Sequence, residues 1–502
     1  MAATTGKAIL GYLPNDTPPI GRMIGLGFQH VLTMFPATVL VALLTGFDVG
    51  VTLFASGLAT IAALLLSSVL SKSYIPLYYG SSFSYIAPVV AITISNIYGI
   101  DDPATRIRIA QGGIMLTGIV NILVGILIRF VGKKTLDRIL PPEVTGSVAI
   151  VIGIALAYVA LQQASGTILL RSVVDPAKAL IASNSAPLAA VSWWIVALAT
   201  LLFTIVFSVY LRGKGFIGML PVLLGGIAGY IVALFFSNPE GAYIADSTGK
   251  LIAVGGQPLV DFSKIAAASW IQAPKFTLPI FWGGALLAIA PIAIATIPES
   301  TAHLYQISLY VDQLAAELGK TPIKLSRLIG LNLVCDGLGD TINGFLGGCA
   351  GTNYGENNSL MAITRNYSGP ALITAGVIAM ILGFIGKLAA LVNTLPTAVT
   401  GGLAIYLFGV IGAQGIALMV ARRVNFFDPR KLAIISVILV TGIGGAIGFP
   451  GGMIPIFGLQ LPSIATAAVV GILLNLLFII IPARQIDEEF EQMRIEQLEI
   501  EV

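Results

Sequence analysis

The sequence predicts an all-α polytopic membrane protein whose 14 transmembrane segments form two inverted seven-helix repeats, with short extended stretches in segments 3 and 10. Three observations predict it: an extreme apolar composition, apolar runs of membrane-crossing length from end to end, and motifs that recur seven segments later. Of 502 residues, 56% are hydrophobic and 10% charged, where a soluble domain carries about 25% charged residues. The mean hydropathy of +0.93 excludes the soluble classes.

A spanning helix needs about 20 mostly apolar residues, because the hydrocarbon core is roughly 30 Å thick and each residue rises about 1.5 Å. Ten stretches meet this clearly: 24–44, 51–70, 109–131, 192–211, 216–236, 280–297, 371–392, 398–420, 432–447 and 464–481. Four weaker stretches, interrupted by Gly, Pro or polar residues, lie at 74–97, 144–161, 325–346 and 352–363.

Lys and Arg set the orientation, since they concentrate in cytoplasmic loops. Counted from a cytoplasmic N-terminus, the inner loops collect Arg129, Lys133, Lys134, Arg138, Arg422, Arg423, Arg430 and Lys431, among others. The outer loops collect fewer, such as Arg106, Arg108 and Lys275. Both termini are therefore expected inside. The net charge of +3 mostly reflects this bias and gives no reason to expect a nucleic-acid partner. Residues 1–22 hold no apolar stretch with a small-residue cleavage site, so no cleavable signal is expected. Cys335 and Cys349 read as small core residues, without support for a disulfide or a metal site. Polar outer connections are expected at 162–190 and 238–278, with a small hairpin near 251–260.

The internal repeat is visible in two strings. Leu140-Pro141, leading to Val144-Thr145-Gly146, is echoed by Leu395-Pro396, leading to Val399-Thr400-Gly401. Tyr79-Gly80-Ser81-Ser82-Phe83 is echoed by Tyr354-Gly355-Glu356-Asn357-Asn358. Each echo jumps seven segments. An odd number of spans per copy inverts the second half, the architecture of many secondary transporters, whose sites lie where corresponding segments are broken. Residues 78–88 and 347–364 fit such breaks, each an extended stretch leading into a half-helix or, alternatively, a tight turn. Irregular backbone at that depth must face protein or a cavity.

Ionisable groups at membrane depth are costly and point to function. Glu356 lies in the second break. Glu299 follows Pro298, and His303 lies four residues beyond, on the same face if the helix continues. A carboxylate and an imidazole so spaced can share a proton, and carboxylates suit a ligand that presents ring N–H donors. The alternative is a cap glutamate and a core histidine. His30, after Gln29, reads as a structural histidine or as support for the site. Asp336 and Asp340 are either proton-pathway groups or hydrated at a helix end.

At these residues the chain resembles the nucleobase/ascorbate transporter family (nucleobase:cation symporter-2, the xanthine/uracil permeases), and within it the bacterial uracil permeases. The resemblance is carried by Phe28-Gln29-His30 through Phe35-Pro36-Ala37-Thr38, by Tyr79-Gly80-Ser81-Ser82-Phe83 and by Glu299…His303. Tyr354-Gly355-Glu356-Asn357, ending Met361-Ala362-Ile363-Thr364-Arg365, falls on the family signature.

The resemblance implies proton-coupled uptake of a nucleobase, uracil in the first place, by a homodimer in the cell membrane. The proton is the coupling ion and no other cofactor is implied. It implies a core domain at 23–139 and 278–394 and a gate domain at 140–277 and 395–483, between a cytoplasmic N-terminus (1–22) and an acidic tail (484–502). Glu299 and Glu356 would bind the base, and Glu299 with His303 would carry the proton. Phe83 and Gly355 would offer backbone N–H groups, Phe83 and Tyr354 would adjoin the ring, and His30, Asn357 and Gln29 would support them. Two departures stand out. Ser359 occupies a place where the family has glycine, and Glu299-Ser300-Thr301 is similar to purine-type members. A xanthine/urate carrier, and an anion transporter or channel of the same architecture, remain as alternatives. No nucleophile–base set suggests an enzyme.

Overall fold

The computed structural model describes residues 11–94, 98–173, 185–245, 251–349 and 351–481; the expected acidic tail (484–502) and segment 174–184 of the first long polar connection lie outside them. The first half opens with α1 (Ile20–Thr45) and α2 (Val49–Ser71). A strand, β1 (Tyr79–Ser81), leads through one tight helical turn into α3 (Ile86–Thr93). Then come α4 (Pro103–Val131), the short α5 (Lys133–Ile139), and α6 (Pro142–Ala155) continued by α7 (Ala157–Ser165). β2 (Leu170–Val173) and β3 (Ser185–Pro187) precede α8 (Val191–Tyr210) and α9 (Pro221–Ala233). β4 (Tyr243–Ala245), β5 (Leu251–Ala253) and α10 (Ser263–Ala267) lie between the halves.

The second half runs through α11 (Gly283–Ile289), α12 (Ala293–Glu317), α13 (Ile329–Leu346), β6 (Gly351–Asn353), α14 (Gly355–Thr364), α15 (Gly369–Gly383) and α16 (Gly386–Val392). It continues with α17 (Thr397–Ala421), α18 (Pro429–Leu439), α19 (Gly445–Gly448), the hairpin β7 (Met453–Ile456) and β8 (Leu459–Pro462), and α20 (Ser463–Ile480).

Local chemistry sets the helix ends. Asp48 accepts a hydrogen bond from Val51 N at 2.8 Å to start α2. Asp102-Pro103 and Asp428-Pro429 start α4 and α18, an oxygen cap followed by a proline whose missing N–H costs nothing there. Gly46, at φ 78°, ends α1 in the left-handed conformation that glycine adopts freely.

Among the described residues, nine helices are long and apolar enough to cross a membrane, and three shorter apolar ones accompany them. All 14 predicted stretches contain helix. Their outward faces carry exposed Val69, Phe130, Phe235 and Ile480, as lipid contact requires.

The halves interlock as images of each other. α2 of the first half packs along α15 of the second, and α13 along α4; exchanging the halves turns one pair into the other. α6 and α17 form a third pair. Each crossing brings glycines face to face, as at Gly57–Gly376, Gly118–Gly337 and Gly146–Gly415. At Gly125–Gly330 a Cβ on either residue would lie 2.6 Å from the other's carbonyl oxygen. In a bilayer, close backbone approach of this kind replaces the hydrophobic drive for helix association.

The outer connections differ from expectation. In place of a hairpin within 251–260, β5 pairs back onto β4 and forms one edge of a four-stranded sheet, β3-β2-β4-β5, drawn from both polar connections. The β7–β8 hairpin lies in a stretch where the sequence signalled no strand.

Candidate functional site

The two broken segments meet each other. β1 and β6 pair antiparallel, with Tyr79 opposite Asn353, Gly80 opposite Thr352 and Ser81 opposite Gly351, and Tyr354 N donates to Tyr78 O at 2.8 Å. Helix α2 satisfies the outer edge of β1: Thr60 Oγ1 accepts from Tyr79 N at 3.0 Å, and Ser56 Oγ donates to Tyr79 O at 2.7 Å. That is how extended backbone survives at this depth. The tight-turn alternative is excluded.

The pairing also corrects the register of the echo. Ser82 caps the helix after β1 and Tyr354 stands at the N-cap after β6. Phe83 therefore corresponds to Gly355 and Ser82 to Tyr354, a shift of three residues from the string match of Tyr79 with Tyr354. The N–H groups proposed for ligand binding, at Phe83 and Gly355, thus occupy equivalent first positions of two opposed half-helices. The Leu-Pro echo keeps its register, with Pro141 and Pro396 at the N-caps of α6 and α17.

Helix α12 runs unbroken through Pro298, so Glu299 and His303 do share a face. Both line a cavity of about 190 Å³ with Ser82, Phe83 and Ser84 from the first broken segment. Across it stand α6 and α17, contributing among others Val148, Ile152, Ile411 and Gln414. Phe83 meets Phe408 of α17 edge to face, with ring centroids 5.9 Å apart. Glu356, in the first turn of α14, is exposed and is not among the residues that line this cavity, though it stands near enough to act electrostatically on Glu299 and His303.

Glu299 and His303 do not hydrogen-bond each other, contrary to the shared-proton expectation. Ser82 Oγ donates to Glu299 Oε2 at 3.3 Å. His303 Nδ1 instead lies 2.8 Å from Asn353 Oδ1 and 2.9 Å from Asn353 O, two acceptors that fix the proton on Nδ1. The ring lies against Gly355, where a Cβ would stand 2.8 Å from His303 Nε2. Glycine at 355 is what lets the imidazole into this place.

Behind His303 is a buried polar network that the sequence did not reveal. Asn353 Nδ2 donates to Ser300 Oγ at 2.8 Å and to Asp336 Oδ1 at 3.3 Å, and Ser300 Oγ donates to Asp336. Asn332 Nδ2 also reaches Ser300 Oγ, at 2.7 Å. Asp340 accepts from Tyr85 OH and Asn121 Nδ2, each at 3.1 Å. Both aspartates are buried, so helix-end hydration is excluded for each. The only sequence signal was polarity at apolar depth.

Tyr354 stands behind the cavity wall. Its ring stacks on Tyr78 at 6.3 Å, its OH bonds Thr38 at 2.8 Å, and it fills the space left by Gly80. His30 is buried, and Asn357 Nδ2 donates to its Nδ1 and its carbonyl oxygen, each at 3.1 Å. His30 and Asn357 thus join α1 to α14 by a direct contact. Gln29 is half-buried and its Oε1 finds no partner among the described residues.

The model of the permease family Xan_ur_permease matches residues 21–451. The uracil permease of Bacillus caldolyticus is 37% identical over 93% of this chain and 94% of its own length. That of Bacillus subtilis is 34% identical over 92% and 94%, and that of Escherichia coli strain K12 is 31% identical over 94% and 95%. Among solved structures, the murine Slc26a9 anion transporter in its inward-facing state superposes with a TM-score of 0.60 at 12% identity, over 94% of this chain and 70% of that one. The transmembrane domain of the cyanobacterial bicarbonate transporter BicA gives 0.51 at 17% identity, over 93% and 100%. These two show the fold alone.

Proposed function

Because the chain belongs to the xanthine/uracil permease family and is a multi-pass membrane permease rather than an enzyme, we propose that it carries a nucleobase, uracil foremost, into the cell together with a proton. The observation that carries this reading is the placement of Glu299 at a small cavity, with Glu356 within electrostatic reach. Carboxylates accept the ring N–H groups of a pyrimidine, and the half-helix N-termini at Phe83 and Gly355 offer N–H groups to its carbonyls. Phe83 supplies an apolar face for the ring.

Two carboxylates that sense each other repel when both are ionised. A proton taken up with the base relieves that repulsion, which links the two cargoes. His303, held by Asn353 with its second nitrogen against the start of α14, is placed to sense that charge.

The carrier works by moving a core (23–139 and 278–394) against a gate (140–277 and 395–483). Packing supports this division: α2–α15 and α4–α13 join the two core parts, and α6–α17 joins the two gate parts. The chain crosses the membrane 14 times with both termini inside, and functions as a homodimer. Tyr354 acts by holding the two broken segments together, with His30 and Asn357 bracing α14.

Uptake of labelled uracil into proteoliposomes under an inward proton gradient tests the reading. Glu299→Gln and Glu356→Gln should each abolish accumulation, and a protonophore should abolish it in the parent protein. Wild-type-like transport in both variants refutes it. The string Glu299-Ser300-Thr301 favours a xanthine-type carrier as second reading; stronger competition by xanthine than by uracil would select it. An anion substrate, despite the solved structures that share the fold, is opposed by two carboxylates at the site.

A further inference from the structure

The two walls of the cavity are chemically unlike. The wall from α12 and the first broken segment carries Ser82, Ser84, Glu299 and His303. The opposite wall, from α6 and α17, is apolar except at Thr145 and Gln414. Thr145 spends its hydroxyl within its own helix, on Pro142 O at 3.4 Å. Gln414 is exposed and makes no hydrogen bond to any described residue. It follows Ile411 by three residues and precedes Leu418 by four, so all three project from one face of α17 into the cavity.

An amide in this place needs a reason. α17 is otherwise built from apolar and small residues, with two threonines near its start and Tyr406 further on, and an exposed amide on its cavity face is a hydrogen-bonding group open to what enters. Carboxylates only accept hydrogen bonds, and the N–H groups at Phe83 and Gly355 approach from the broken segments, so a carbonyl turned toward α17 meets neither. The Gln414 side chain is the N–H donor on the opposite wall.

We propose that Gln414 is a substrate-selecting residue, whose amide Nε2 donates to a ring carbonyl of the bound base from the α17 side while Glu299 holds a ring N–H from the α12 side. This rests on the nucleobase reading above and extends it, since none of the residues assigned there lies on α17. One donor on an otherwise apolar wall also leaves the base free to move with the opposite wall once that single bond breaks.

The test measures equilibrium binding and uptake of uracil and of 4-thiouracil, whose sulfur is a weaker hydrogen-bond acceptor. It compares the full-length parent with Gln414→Leu, which keeps the bulk, and Gln414→Asn, which keeps the amide one methylene shorter. The parent should prefer the carbonyl compound. Gln414→Leu should bind uracil about tenfold more weakly, the worth of one hydrogen bond, and lose most of its preference over the thio analogue. Gln414→Asn should fall between. Unchanged uracil affinity and unchanged preference in Gln414→Leu overturn the proposal and leave the carrier reading intact. A parent protein that binds and transports no nucleobase overturns the carrier reading, and this inference with it. If Gln414→Leu fails to fold, Gln414→Asn decides alone, by a shifted or an unshifted preference.

Discussion

The two broken segments share one backbone plan, a three-residue strand, a capping residue and a half-helix, yet they do different work. The first, through α3, buries Ile86, Val89, Ala91 and Ile92, and its cap Ser82 closes on Ser84 N at 3.2 Å. The second, through α14, buries Asn357 and Asn358 beside Leu360 and Met361, and its N-cap tyrosine makes no side-chain cap. Asn358 Nδ2 holds His303 O at 3.2 Å, Asn357 holds His30, and Asn353 holds His303 and Ser300. One copy of the repeat has become a packed apolar wedge ending in Phe83. The other has become a polar hub that organises both histidines. A symmetric frame therefore carries an asymmetric site, because two copies of one backbone supply equivalent N–H groups but free the side chains to diverge.

That contrast can be broken by equivalent substitutions. The largest expected effect is at Asn353. Asn353→Leu takes one hydrogen bond from each of Ser300, Asp336 and His303, while Ser300 and Asp336 keep each other and His303 keeps the residue-353 carbonyl, and should cost roughly 3 kcal/mol of stability at about 1 kcal/mol per bond. Its counterpart Ser81→Ala loses one bond to Cys349 O and should cost about 1 kcal/mol. Equal shifts in the thermal unfolding of the two purified variants would remove the distinction.

Two residues further on the counterparts are Gly355 and Phe83. Gly355→Ala drives a methyl into His303, an overpacking expected to cost about 2 kcal/mol, and should weaken uracil uptake with it. Phe83→Ala enlarges the cavity without touching His303, so pH dependence of uptake should shift in the glycine variant and stay in the phenylalanine one. The reverse result would mean that His303 is not the proton-sensing group.

Tyr354→Phe removes the hydroxyl bond to Thr38 while keeping the stack on Tyr78. A loss of about 1 kcal/mol with uptake retained is expected, whereas loss of uracil binding at unchanged stability would put Tyr354 in the cavity. The smallest effect is at Ser359, whose hydroxyl bonds Gly355 O on the exposed side of α14. Ser359→Gly should cost about 0.5 kcal/mol of helix stability and leave the ratio of uracil to xanthine uptake unaltered.

Much of this was legible in the chain. The apolar runs, the Leu-Pro helix starts and the Gly- and Ser-rich breaks mark their own segments, and Glu299, His303 and Glu356 stood out as ionisable groups at apolar depth. Asn353 was not legible, although it directly precedes Tyr354, because an asparagine beside a tight segment reads as a turn residue. Gln414 was not singled out either, although an amide inside an apolar helix is the same kind of signal that exposed the glutamates.

The sequence by itself determined that this is a membrane protein of repeated halves, where its helices begin, and which acids lie near its centre. These follow from hydropathy, proline and glycine, whose effects act within a few residues. Only the tertiary structure decided the register of the repeat, the transfer of His303 from Glu299 to Asn353, the burial of Asp336 and Asp340, and the meeting of Glu299 and Gln414 at one cavity. Each of those depends on strands and helices docking across long stretches of chain. Close glycine crossings and an antiparallel strand pair set such meetings to within an ångström, and no local pattern records which side chain will be opposite which.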